Sequence, residues 1–365
     1  MKITAAVLRE KTRPFTIEEV ELDAPQADEI LVRIISAGIC HTDLVIRDLP
    51  YPPPLPSVLG HEGAGVVEAV GERVRKVRPG DHVVLSYMSC GSCANCQQGA
   101  PAYCGQFFAA NLGGVRVDGS TTLHKDGEAV YGRYFGQSSF ATYALASERN
   151  VVKVRADAPL ELLGPLGCGV QTGAGGVLNS LRVRACSSIA VFGVGSVGLS
   201  AVMAAVVAGC TTIIGVDINP ARLELAKTLG ATHTIHAGQD DPVAVIRSIT
   251  GEGVHYSLET SALPRVLRQA VDSLCALGVC GLIGAAPPGV EVNLDMNAIL
   301  TGRSVRGILE GDSIPDIFIP QLIDLYMQGR FPFDRLASFY PLKEINQAMT
   351  DSEQGRVVKP ILMMR

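Results

Sequence analysis

The chain has 365 residues, more than one ordinary core absorbs, so two domains are expected. Hydrophobic residues make up 47% and charged residues 18%, which allows a sizeable buried interior and excludes an intrinsically disordered chain. A formal net charge of -5, with no long basic run, excludes nucleic acid and anionic membrane as expected partners.

The first half is β-rich. Met1 to Leu8 leads into a short strand with no cleavage site after it, so no secretory leader is expected. Strands are predicted over Ile3 to Leu8, Phe15 to Leu22, Ile30 to Ile35, Gly65 to Val70 and His82 to Leu85, separated by Gly, Pro and Asp as in Pro79-Gly80-Asp81. Tyr51 to Pro56 carries four prolines and reads as an extended loop. Residues 105 to 137 are rich in Gly and polar side chains and are expected as one long loop.

The pattern changes near residue 160. From there to about 300, strand-like runs (Ile189 to Phe192, Thr212 to Val216, Val279 to Ile283) alternate with helical stretches, which predicts a parallel, doubly wound sheet. No residue from Ile189 to Val216 is charged, and that length would suffice for a membrane span. Gly193, Gly195, Gly198, Gly209 and Gly215 break it into a buried strand, a turn, a buried helix and a second strand. A helix is expected near Ile317 to Met327, in a segment that returns to the first domain. The division predicted is 1–163, 164–306 and 307–365.

Ten cysteines are present, four of them in Cys90-x2-Cys93-x2-Cys96-x7-Cys104. Four thiolates so spaced can close a tetrahedral shell around zinc, with Zn–S near ~2.3 Å. Disulfides are the competing reading. The short i, i+3, i+6 spacing, and six further thiols scattered partly through apolar runs, point instead to metal and a reducing cytoplasm. A closed shell leaves no position for substrate, so this zinc is read as structural.

Three smaller marks lie apart: Cys40-His41-Thr42-Asp43, Gly60-His61-Glu62 and Gly167-Cys168-Gly169. Two thiolates and one imidazole would hold a second zinc with one position open to a substrate oxygen. Further on, Gly193-Val194-Gly195-Ser196-Val197-Gly198 follows an apolar strand and opens a helix, and a second strand ends at Asp217. This is the dinucleotide fingerprint: the glycines admit a pyrophosphate to the helix N-terminus, and the acidic residue receives the ribose hydroxyls. Asp217 before Asn219-Pro220 could otherwise be a turn residue. As a ribose ligand its charge favours NAD over NADP.

Taken together and in this order, Gly-Ile-Cys-His-Thr-Asp, Gly-His-Glu-Gly-Ala-Gly-Val-Val-Glu-Ala-Val-Gly, the four-cysteine lobe, Gly-Cys-Gly and the glycine fingerprint resemble the zinc-containing medium-chain alcohol dehydrogenases over essentially the whole chain. The resemblance implies an α/β fold, a β-rich GroES-like catalytic domain joined to a Rossmann domain. It implies two zinc ions per chain, NAD as cofactor, a small alcohol or aldehyde as substrate, and a homo-oligomer, dimer or tetramer. Cys40, His61 and Cys168 become the catalytic zinc ligands, Asp43 the carboxylate that orients His61, and Glu62 a group behind the metal. Thr42 relays the alcohol proton. Thr172 and Val197 meet the nicotinamide, Arg222 the adenosine ribose, and His41 and Lys359 the pyrophosphate. For His41 and Lys359 an ordinary surface position is the alternative.

The chain departs from the family at Val45, where many members carry the histidine that ends the proton relay. Phe-Gly-Gln-Ser-Ser-Phe at 135 to 140 and Arg306 to Ser313 resemble the aryl-alcohol (benzyl alcohol) dehydrogenase branch. That likeness implies an apolar pocket lined by Phe140, Ile308 and Leu309, suited to benzylic or allylic primary alcohols. Two rivals are carried. A glutathione-dependent formaldehyde dehydrogenase would need free cations such as Arg116 and Lys125 at its pocket mouth. An inactive, zinc-stabilised binding protein would have lost part of the ligand triad.

Overall fold

The computed structural model describes residues 1–364 and divides into two compact units. The first comprises Met1–Cys168, Ile314–Met327 and the chain from Asp334; the second comprises Gly169–Ser313 and Gln328–Phe333. The chain passes from the first unit to the second between Cys168 and Gly169, and Pro315–Met327 lies in the first unit.

The first unit is built on two sheets. The smaller runs Ser57–Val58, Lys2–Leu8, Thr16–Leu22, Leu123–Lys125, Glu128–Val130. The larger runs Val151–Lys153, His82–Leu85, Glu62–Val70, Glu29–Gly38, Lys359–Met363, Ala337–Pro341, and Tyr143–Ser147 adds to Glu29–Gly38. All its pairings are antiparallel except that of the last two strands. Ile30, Val32, Ile34, Val67, Val83, Leu85, Ala144 and Ala146 pack into one buried cluster, as alternation along half-buried strands demands. The register is what matters for function. Gly38 pairs with Glu62 on one side and with Ile361 on the other. Cys40, His61 and Lys359 therefore arrive together at the same corner of the sheet.

The stretch 105–137 is not the structureless loop expected. It holds the helix Phe107–Leu112 and a hairpin pairing Leu123–Lys125 with Glu128–Val130. Asp126 and Gly127 turn the hairpin, both with positive φ (51° and 83°). That is the demand of a type I′ turn, and Asp-Gly is its sequence signature. The polar composition masked it.

The second unit is a six-stranded parallel sheet in the order His233–His236, Thr212–Asp217, Ser188–Phe192, Val254–Glu259, Leu274–Leu282, Ser304–Gly307. Its strands run through a core of Ala190, Phe192, Ile214, Val216, Leu274 and Cys280. Pro220, Pro242 and Pro264 each open a helix, where a missing N–H costs nothing and φ is already suited. Asn219 and Asp241 cap two of them through side-chain oxygens. The uncharged run from Ile189 resolves into a strand, the helix Ser196–Val207 and a second strand. Among the described residues no helix is long and apolar enough to cross a membrane.

Candidate active site

In the first unit, Cys40 ends one strand passage and begins the helix His41–Asp48. Its N–H donates to Oδ2 of Asp43 at 2.9 Å, which caps the helix and swings the Asp43 carboxylate inward. Oδ1 of the same carboxylate lies 2.9 Å from His61 Nδ1 and accepts the Gly60 N–H at 3.3 Å. Asp43 and His61 are both fully buried. With Nδ1–H donated to Asp43, His61 Nε2 is the ring's remaining donor atom, and it has no hydrogen-bond partner. The ligand atoms of Cys40, His61, Glu62 and Cys168 all lie within 4.8 Å of one another. A buried orphan nitrogen facing two thiols and a carboxylate is the donor set of a zinc site, so the residues fit the ion. The neighbouring Cys168 thiol first, and then the His61 ring, draw the Cys40 thiol well below its ordinary range, against the upward push of burial, which is the thiolate character a ligand needs.

Asp43→Ala is expected to loosen this metal about 10–100-fold, the usual effect of removing a carboxylate behind a ligating histidine. Competition against a coloured chelator measures it. Unchanged retention would mean that Asp43 does not orient the ring.

Glu62 is also buried, and Lys359 Nζ bonds both of its oxygens at 3.0 and 2.9 Å and the Ile39 carbonyl at 3.0 Å. Burial alone would lower the Lys359 pKa, but the Glu62 charge raises it above the ordinary lysine value. Lys359 was expected at the pyrophosphate. The structure instead spends its ammonium on Glu62 and Ile39, with the residue only 3% exposed. Three glycines allow the close backbone approaches around Glu62 and the adjoining strand. A Cβ on Gly38 would collide with the Glu62 carboxylate, one on Gly164 with the Glu62 carbonyl, and one on Gly167 with the Leu85 carbonyl.

Two aromatic residues that sequence reasoning passed over hold the imidazole. Phe135 stacks on His61 with ring centroids 4.5 Å apart, and Tyr134 meets it edge-on at 5.5 Å. Phe135 has φ 51°, a left-handed conformation that costs a non-glycine residue on the order of 1 kcal/mol. Phe140 does not join a pocket as expected. It is fully buried, packs edge-on against Phe15 at 6.1 Å, and fills the space beside Gly60, whose φ of 89° admits the approach. Thr42 is half-buried, its Oγ1 3.6 Å from the Cys40 sulfur, while His41 is exposed at the helix start and Val45 half-buried.

In the lobe, Cys90, Cys93, Cys96 and Cys104 bring their sulfurs within 4.8 Å of one another. Backbone N–H groups point at them: Cys93 to the Cys90 sulfur at 3.3 Å, Cys90 to the Cys104 sulfur at 3.2 Å, and Gly105 to the Cys93 sulfur at 3.5 Å. Backbone donors from Ser92 and Cys93 bring the Cys90 thiol to about 6, whereas burial lifts Cys96 to about 12. Four sulfurs this close need a cation to carry charge together, and the donor set again fits zinc.

The second unit carries the glycine loop. Gly193 has φ 86°, and a Cβ at Gly198 would collide with the Gly193 carbonyl, so the helix can pack on the strand only without one. A Cβ at Gly195 would meet nothing within 4 Å, which leaves the helix N-terminus open. Gly195 caps that helix without a side-chain bond, no acidic residue lies in its first turn, and Ser196 Oγ is buried without a partner. A helix N-terminus without a side-chain cap or an acidic residue, together with an orphan hydroxyl, fits a pyrophosphate. Asp217 accepts the Val194 N–H and the Asn219 N–H, each at 2.8 Å, and so holds the loop from the neighbouring strand. Arg222 is half-buried nearby in the chain, with Nε unpartnered. The helix Gly169–Gly175 packs where Gly173 leaves space for the Val197 carbonyl, which brings Thr172 and Val197 into one neighbourhood. Ile308 is buried against Gly281, and Leu309 is half-buried beside it in sequence.

The chain segments also match known proteins. Residues 26–156 fit the profile of the alcohol dehydrogenase GroES-like domain, and residues 196–327 that of the zinc-binding dehydrogenases. Geraniol dehydrogenase of Castellaniella defragrans is 47% identical over 363 residues, covering 98% of this chain and 97% of that one. Benzyl alcohol dehydrogenase of Acinetobacter calcoaceticus is 49% identical over the full length of both chains, with a TM-score of 0.97. An alcohol dehydrogenase zinc-binding domain protein of Burkholderia ambifaria is 57% identical, covers 100% of this chain and 99% of its own, and has a TM-score of 0.99.

Proposed function

The chain belongs to the zinc-containing medium-chain alcohol dehydrogenases and is an alcohol dehydrogenase, and on that premise we propose that it oxidises benzylic or allylic primary alcohols reversibly to aldehydes with NAD. The observation that carries the reading is the convergent set of Cys40, His61 and Cys168, with the buried His61 Nε2 lacking a hydrogen-bond partner. Zinc held there supplies Lewis-acid polarisation of the substrate oxygen. The lobe would hold a second, structural zinc.

The chain's own groups supply the rest. Asp43 fixes the His61 tautomer, so the nitrogen aimed at the metal is the unprotonated one. Thr42, beside the Cys40 sulfur, takes the alcohol proton. With Val45 in place of a base, that proton leaves to water near the exposed His41. The glycine loop and helix N-terminus of the second unit would hold the dinucleotide, which would supply the hydride acceptor.

Substrate class rests on similarity to proteins named for geraniol and benzyl alcohol. The glutathione-linked alternative loses its cations. Arg116 is buried in a bidentate pair with Glu29 and also bonds Asp23, while Lys125 pairs with Glu18 at 2.5 Å. NADH absorbance in a panel of benzyl alcohol, geraniol, ethanol and S-hydroxymethylglutathione is therefore expected to rank the first two highest in kcat/KM. Preference for the glutathione adduct would overturn the substrate reading.

Cofactor choice follows from Asp217. Its carboxylate at the end of Thr212–Asp217 would repel a 2′-phosphate, so NAD is expected to exceed NADP by well over tenfold in kcat/KM. Asp217→Ala should narrow that ratio and, by freeing the Val194 N–H, also weaken NAD binding. An unchanged ratio would remove Asp217 from the ribose site.

A further inference from the structure

Glu310, Gly311 and Asp312 form a left-handed turn, with φ of 51°, 67° and 50° in succession. Only the middle residue is glycine, and a side chain in this region is strained. The turn is nonetheless locked. The Asp312 N–H closes on the Leu309 carbonyl at 3.0 Å, and Arg306 Nη2 holds the Asp312 carboxylate at 2.9 Å. Ser313 Oγ donates to Gln171 Oε1 at 3.0 Å and bonds the Glu310 carbonyl. A Cβ on Gly175 would strike the Gly311 carbonyl, and one on Gly311 would meet the Thr172 carbonyl at 2.9 Å. All this places the Glu310 side chain, 7% exposed, against Thr172, whose hydroxyl donates to Oε2 at 3.4 Å.

Topology says which half of a dinucleotide this turn faces. The strand order changes direction between Ser188–Phe192 and Val254–Glu259, and ligands lie across the carboxyl ends of the strands at that point. Asp217 marks the adenosine side, on the strand beyond Ser188–Phe192. The turn follows the carboxyl end of Ser304–Gly307, on the opposite side. It therefore belongs to the nicotinamide half. There the cofactor presents a carboxamide, whose NH2 is a donor, and in its oxidised form a cationic ring. A carboxylate is an acceptor and an anion.

We propose that Glu310 is a cofactor-specificity residue, its carboxylate accepting a hydrogen bond from the nicotinamide carboxamide and favouring the oxidised ring by charge, with Thr172 holding it in place. This rests on the dinucleotide reading of the second unit and adds to it a named contact.

The test is isothermal titration calorimetry on the zinc-loaded protein with three probes: NAD+, NADH, and nicotinic acid adenine dinucleotide, which carries a carboxylate where NAD+ carries the amide. The wild-type protein is expected to bind NAD+ at least about 100-fold tighter than the acid analogue, because two carboxylates would face each other. Glu310→Gln keeps the shape and the Thr172 contact. It should close that gap to about tenfold or less and lower the NAD+ to NADH affinity ratio severalfold. Equal binding of NAD+ and the acid analogue by the wild-type protein would overturn the proposal without any variant having to fold. So would a Glu310→Gln protein that weakens all three probes alike, the outcome of a purely structural role. Binding of the acid analogue but not of NAD+ would overturn it too. Failure of every dinucleotide to bind would bring down the cofactor reading itself.

Discussion

Cys168→Ala is expected to abolish turnover and to leave a folded protein with its lobe metal in place. Cys168 joins Cys40 and His61 in the donor set, and two donors with a carboxylate already held by Lys359 make a poor substitute for three. Metal polarisation of the reacting oxygen contributes several kcal/mol, and each 1.36 kcal/mol is tenfold in rate, so the loss should be on the order of 10³-fold or more in kcat/KM. The substitution removes one sulfur from a site at the end of Gly164–Gly167 and no backbone contact, so circular dichroism and the melting temperature should change little. Metal analysis should show one zinc per chain in place of two. A variant that retained most of its activity with the metal gone would refute the catalytic site.

Cys96→Ala should do the reverse, sparing the chemistry of each assembled molecule and undermining its stability. The lobe has little apolar interior. The helix Ala94–Gln97 buries no residue, and Pro101–Tyr103 buries only Ala102. On the proposed zinc reading its order comes from the metal, and closed four-thiolate sites in small zinc domains supply on the order of 10 kcal/mol. Loss of the ion is therefore expected to unfold residues 90–104 locally. It should lower the melting temperature by ten degrees or more and open the segment to protease and hydrogen exchange. Cys90→Ala and Cys104→Ala should behave alike. A Cys96→Ala protein that lost its metal yet melted with the wild type would show that the lobe is held by something else.

Much of this was legible in the sequence because the informative spacings are short. The lobe lies within one turn-rich segment, and the glycine loop, its flanking strand and Asp217 follow one another in a single βαβ unit. Cys40, His61 and Cys168 lie in three separate segments, grouped by donor chemistry and given their roles by resemblance, and the register pairing Gly38 with Glu62 is the physical reason Cys40 and His61 meet. What stayed hidden depends on long-range pairing. Lys359 and Glu62 are 297 residues apart, and nothing local to either announces a buried ion pair. The Phe135 stack needs a left-handed backbone at a residue that avoids it. The hairpin at Asp126-Gly127 is different, since its signature stood in the sequence and was outweighed by polar composition.

The glycines packed around Glu62 have a consequence for how this protein would look in a mutational scan. Gly38, Gly164 and Gly167 carry no metal-ligating side chain, yet any side chain there would press on Glu62 or on the strand carrying Leu85, and so on the corner where Cys40 and His61 meet. Scored by activity alone, these positions would be as intolerant as the metal ligands. A substitution map would draw the active site with a halo, and abundance measured alongside activity would separate the halo from the chemistry. At Cys168 the folded protein should persist without function, whereas at Gly164 both should fall together.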